Sequence, residues 1–200
     1  MALPTLHRGD VLFTIATDTF MRKVIFAAQT VGSLGGGGGA ADVHAAIIVR
    51  SGQTSAQMVE SVGSGVHMGD VKDGTYHLFH YTANDELRRH AARVAEGFAA
   101  YAENPAGDYG KYDKMAAALS PFRTTRTGQR PTDPNSPFTC GPNTFFCSNL
   151  VFLAYAGAAE IMGLQTVPIR NGHKNISPRD LMAGMSNDPD WKALGVASKP

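Results

Sequence analysis

Apolar and polar positions alternate and recur in a way that predicts a string of short elements. Gly9-Asp10-Val11-Leu12-Phe13-Thr14-Ile15 reads as a turn feeding a first strand. From Asp18 to Val31 the apolar residues Phe20, Met21, Val24, Ile25, Ala27, Ala28 and Val31 recur at a helical period, with Asp18 or Thr19 as the cap. A glycine run, Gly35 to Gly39, follows; the segment 32–41 is expected to be a flexible loop, because glycine loses the most freedom on being fixed. Val43 to Arg50 is a strand buried on at least one face, Ser51 to Ala56 a turn, and Gln57 to Val62 a second strand, together a hairpin. After the bend at Gly63-Ser64-Gly65, Val66 to Met68 continues briefly. Thr75 to Thr82 is a further strand, rich in aromatic residues. Asn84 to Asn104 is a helix capped by Asn84 or Asp85, apolar at Leu87, Ala91, Val94, Ala95, Phe98 and Tyr101. A shorter helix is expected over 113–119 and a long polar loop over 120–143. A helix runs from Cys147 to about Met162, and Val167 to Arg170 reads as a last strand. Ser177 caps a closing helix whose first residue is Pro178. This order predicts one α+β domain over 1–200, an antiparallel sheet with its helices grouped to one side.

With 43% apolar and 18% charged residues, the chain has the composition of an ordinary globular protein. A net charge of +1 gives no field for steering nucleic acid or an anionic membrane. No apolar run approaches the roughly 18 residues that a membrane span needs, so no stable insertion is expected. The first residues lack a basic stretch followed by an apolar one. Synthesis in the cytoplasm without a secretory signal is therefore expected, with any export left to a signal-independent route.

The chemistry-bearing residue is Cys147. Loop-forming residues (Pro134, Asn135, Pro137, Gly141, Pro142, Asn143) precede it and an apolar helical run follows, so the thiol is expected at a helix N-terminus. Unpaired N–H groups and the helix dipole favour a thiolate there. Cys140 is the other cysteine; a local bridge between the two stays open, but no disulfide framework is expected. Their spacing matches no short Cys-x₂₋₄-Cys knuckle, so no zinc site is expected.

A thiol nucleophile needs a base, usually a histidine oriented by a polar group. His7 and His90 read as solvent residues, and His173 lies in a loop. His77 and His80, three apart, point to opposite faces of a strand. His44 is the best candidate, opening an otherwise apolar strand on the face of Ala46 and Ile48; the bland reading is a strand-end histidine with its hydrogen bonds met. Glu60 sits in Met58-Val59-Glu60-Ser61-Val62, where a carboxylate needs a partner or an edge. In a hairpin it lies across from the strand carrying His44 and can accept the imidazole N–H. An edge-strand gatekeeper is its alternative reading. His67 competes for the orienting role, whereas Asp42 is too close in the chain to His44.

Gly9-Asp10-Val11-Leu12-Phe13, His44-Ala45-Ala46-Ile47-Ile48-Val49, Val59-Glu60-Ser61, Phe146-Cys147-Ser148-Asn149-Leu150-Val151 and Ile176-Ser177-Pro178-Arg179-Asp180-Leu181 together resemble the circularly permuted NlpC/P60 group of papain-like enzymes, YiiX-like proteins included. In that group the histidine strand precedes the cysteine helix, as here. Many relatives carry a glutamate where this chain has Asn149. The resemblance implies a papain-like fold and a cysteine hydrolase with Cys147 as nucleophile, His44 as base and Glu60 as the third member. It implies a thioester acyl-enzyme formed without a cofactor. The expected substrate is an amide bond in bacterial peptidoglycan peptides. A small wall hydrolase without a secretory signal suggests an antibacterial effector delivered by a type VI-like system into a rival's periplasm, with an immunity protein as partner, or else a cytosolic enzyme acting on recycled peptides. Two alternatives stand: a lipid acyl hydrolase or acyltransferase of the lecithin:retinol acyltransferase-like branch, and a non-catalytic binding module on the same fold.

Overall fold

Strict alternation along the strands sorts the apolar residues into two cores, one on each face of a sheet. A computed structural model describes residues 4–15, 43–53, 55–62, 65–103, 147–169 and 178–199. The expected helix at 18–31, the glycine segment 32–41, the helix at 113–119, the loop 120–143 with Cys140, and His173 and Ser177 lie outside the described residues. The described strands are β1 (Val11–Ile15), β2 (Val43–Arg50), β3 (Gln57–Val62), β4 (Gly65–Asp70), β5 (Gly74–Tyr81) and β6 (Trp191–Lys199). The helices are α1 (Asp85–Glu103), α2 (Cys147–Ile161) and α3 (Pro178–Ser186). The strands form a six-stranded sheet in the order β4-β3-β2-β1-β5-β6, with every neighbouring pair antiparallel.

Val11, Phe13, Ala45, Ile47, Val49 and Val59 face the three helices and pack with Leu87, Val151, Tyr155 and Leu181. Leu12, Ala46, Ile48, Met58 and Leu78 face the other way, into a smaller core with Leu6, Val71 and Tyr76. The central strands are therefore apolar on both faces, which is why they read as nearly continuous apolar runs. The architecture is mixed α+β, an antiparallel sheet packed against helices, as the order of elements predicts. No helix among the described residues is long and apolar enough to cross a membrane.

Local chemistry explains the boundaries. The Asn84 side chain accepts the Leu87 N–H at 3.0 Å, so Asn84 rather than Asp85 caps α1. Two expectations need correction. Val167 to Arg170 is not a strand in its described part, 167–169. Pro168 has no N–H to give a ladder, and its carbonyl accepts the Trp191 indole N–H at 2.8 Å instead. The last strand is β6, which the pattern does not announce. Only Trp191 and Ala197 are buried along it, and a bulge at Gly195 (φ +91°) breaks the period of two.

The Gly9-Asp10 pair does structural work at the start of β1. Gly9 has φ +87°, and a Cβ there would stand 2.3 Å from the Arg88 carbonyl oxygen and Cγ. Asp10 is fully buried. Its Oδ2 accepts the His7 N–H at 2.8 Å, and its Oδ1 lies 2.7 Å from His80 Nδ1 and 3.3 Å from an Arg88 nitrogen. Burial pushes the Asp10 carboxyl upward, and these three partners offset the push only in part. Arg88 also reaches Asp85 at 2.9 Å, so β1, β5 and α1 meet in one polar knot. Gly9→Ala combines left-handed strain with overlap against backbone. It is expected to lower stability by about 2–4 kcal/mol, read as a lower midpoint in urea; an unchanged midpoint would refute this account of Gly9.

Candidate catalytic site

The register of the β2–β3 hairpin determines which side chains meet. Glu60 pairs with Ala46, so it shares a sheet face with His44 and sits diagonally across from it. His44 Nε2 lies 3.0 Å from Glu60 Oε2, with both residues buried. β3 is an interior strand between β2 and β4, so the gatekeeper reading of Glu60 is set aside. His67 pairs with Glu60 on β4 and is exposed; the side chain that meets His44 is Glu60.

α2 begins at Cys147, as the sequence predicts, and packs against β2, β3 and α1. The half-buried thiol is hydrogen-bonded to the His44 ring. Because Nε2 faces Glu60, Nδ1 is the ring nitrogen left for the sulfur. The backbone N–H groups of Ala45 and Ser148 also donate to the sulfur. The middle of α2 is tied as well: the buried Tyr155 hydroxyl donates to the Gly9 carbonyl at 2.7 Å. Tyr155 in turn packs edge-on against Tyr81 and Trp191.

Electrostatics make these groups a relay of charge. Burial pushes the Cys147 thiol up, but the His44 hydrogen bond and charge, with the two N–H donors, bring it below its ordinary value. Burial pushes His44 down, yet hydrogen bonds to Cys147 and Glu60 and their negative charge lift it to about 9. Burial pushes Glu60 up, while His44 and Lys72 pull it down to about 2. Lys72 Nζ stands 2.6 Å from Glu60 Oε1. These directions favour a thiolate beside an imidazolium beside a carboxylate, and the Lys72 side chain closes the series on the far side of Glu60.

The structure brings together the three residues singled out from sequence: Cys147, His44 and Glu60. It adds Lys72, which lies in the turn Val71-Lys72-Asp73 and carries no sequence signal of its own. His80 is taken up by Asp10 and Arg88, and His90 is half-buried, 3.8 Å from Glu86. Among the described residues no cluster of three or more His, Cys, Asp or Glu side chains is arranged to hold a metal ion. No family model, curated protein or solved structure matches this chain.

Two predictions follow from the charges. Cys147 should alkylate with iodoacetamide well below the pH of an ordinary thiol, and His44→Ala should slow it on the order of a hundredfold at pH 6; equal rates for the two would refute the ion pair. The depressed Glu60 carboxyl contributes stability that is fully present above its unfolded value of 4.5 and is lost as pH falls toward about 2. The stability gap between wild type and Glu60→Gln should therefore narrow across that acid range in urea titrations.

Proposed function

We propose that this chain is a cysteine hydrolase with a papain-like fold of the permuted NlpC/P60 type, cleaving an amide bond in peptidoglycan peptides. The observation that carries the reading is the hydrogen-bonded series Cys147–His44–Glu60, with the sulfur at the first residue of α2 and the imidazole–carboxylate contact at 3.0 Å. The chain order, His44 then Glu60 then Cys147, is the permuted one. The substrate class rests on the sequence resemblance.

The geometry supports an ordinary acyl transfer through sulfur. The Cys147 thiolate adds to the amide carbonyl carbon, and the carbonyl electron pair moves onto oxygen. N–H groups at the start of α2, that of Cys147 among them, are the donors available to this oxyanion. Collapse of the adduct breaks the C–N bond, and His44 Nδ1 gives its proton to the leaving amine. The neutral imidazole then takes a proton from water, which adds to the thioester. The second collapse frees the carboxylic acid and restores the thiolate–imidazolium pair. Glu60 holds the Nε2 proton throughout, fixing the tautomer and stabilising the imidazolium.

The test is a digest of purified peptidoglycan and of mixed phospholipid vesicles, read by mass spectrometry. Wild type is expected to release new muropeptides and Cys147→Ala none, with Glu60→Gln slower by about 10–100-fold. Released fatty acid or lysolipid would replace the amide reading by a lipid one. Silence on both, with Cys147 unreactive at pH 6, would overturn the hydrolase.

A further inference from the structure

We propose that Lys72 is a positioning residue: its ammonium holds one oxygen of Glu60 so that the other stays aimed at His44. The proposal rests on reading Cys147, His44 and Glu60 as a reactive set.

Each Glu60 oxygen has its own cationic partner, Oε2 at 3.0 Å from His44 Nε2 and Oε1 at 2.6 Å from Lys72 Nζ. A carboxylate held at only one oxygen can rotate about its terminal bond, and a buried oxygen without a partner carries a desolvation cost. An exposed lysine is ordinarily a poor choice for such a task, because fixing its chain costs entropy and solvent screens its charge. Lys72 is exposed along much of its side chain, but the Val71-Lys72 backbone is tied at three points. The Tyr76 hydroxyl donates to the Lys72 carbonyl at 2.7 Å. The neighbouring Val71 donates its N–H to the Ala56 carbonyl at 3.0 Å. The Lys199 ammonium, at the end of β6, donates to the Val71 carbonyl. Three separate elements thus fix the turn from which the ammonium reaches inward.

The surrounding groups fit this assignment. Facing Glu60 are His44 from β2, Lys72 from the turn after β4, His67 paired across on β4, and Tyr76 from β5. Burial first, then the charges of Glu60 and Asp73, push the Tyr76 hydroxyl up to about 12. It therefore keeps the proton it donates to Lys72. Lys72 is then the cation that offsets the carboxylate on the side away from the imidazolium.

Removing the ammonium leaves the Glu60 charge unopposed on that side, so the field at the thiolate becomes more negative. That change moves the acid limb of Cys147 reactivity to higher pH. In iodoacetamide alkylation across pH, Lys72→Met is expected to raise that limb by about half a unit, which is about threefold slower reaction on the limb. Lys72→Arg should restore most of it. In wild type, raising salt to about 1 M should move the limb toward that of Lys72→Met, since an exposed charge is screened and a buried pair much less. That readout needs no variant to fold. Coincident limbs for wild type and Lys72→Met, with equal urea midpoints, would overturn the proposal. So would equal shifts in the Met and Arg variants, because charge would then not be acting. An ordinary thiol curve for wild type, unchanged by His44→Ala, would overturn the reactive set and this proposal with it; an acid-shifted wild-type curve indifferent to Lys72 would overturn the proposal alone.

Discussion

Helix α2 is held against the sheet at two points, and the placement of the thiol depends on both. Tyr155 fixes its middle at the Gly9 carbonyl, while the Cys147 sulfur takes the Ala45 N–H and the His44 ring at its start. Eight residues of helix span about 12 Å. Gly9 donates its N–H to the Ile48 carbonyl at 2.7 Å, and from Ile48 back to His44 is four residues of strand, about 13 Å. The two lengths agree. A slip of one residue on either side would break both contacts at once, so the structured turn at Gly9-Asp10 and the thiol–imidazole contact belong to a single alignment. The buried knot of Asp10, His80 and Arg88 secures the end that bears no chemistry.

The same economy governs the polar groups. A buried carboxylate in an interior strand is costly to leave alone, and here it is met from two sides. The alternation of charge from sulfur to ammonium means that no member stands without a neighbour of opposite sign. The low position of the Cys147 thiol and the high position of His44 are two views of one interaction, worked against the burial that opposes each.

Much of this was legible in the chain itself. His44 in an apolar strand, Glu60 in another and Cys147 before an apolar helix are each a breach of local pattern, and a breach is visible without a structure. β1, β2, β3 and β5 are legible because burial in the sheet writes apolar runs, whereas β4, with His67 to Asp70 exposed, shows in the chain only as a brief continuation at 66–68. β6 is not legible, because an edge strand with two buried residues and a bulge has little periodicity to show. Val167 and Ile169, two apart, make 167–170 look like the missing strand, and Pro168 between them is what rules it out. Lys72 is illegible for a different reason: a lysine in a turn is the commonest of surface residues, and only the fixed geometry of Tyr76, Ala56 and Lys199 distinguishes it. Asp10 was visible only as a turn residue, since its partners lie 70 and 78 positions away.

The position of β6 has a consequence for the order in which the molecule matures. Its neighbour in the sheet is β5, yet α1, α2 and α3 all intervene in the chain. During synthesis β1 to β5 can pair, and α2 can bring its cysteine to His44, while residues 191–199 are still inside the ribosome. The turn that carries Lys72 takes one of its ties from Lys199, which follows Cys147 by the whole of α2, α3 and β6. A nascent chain can thus bring its thiol and imidazole together before that tie behind its carboxylate is in place.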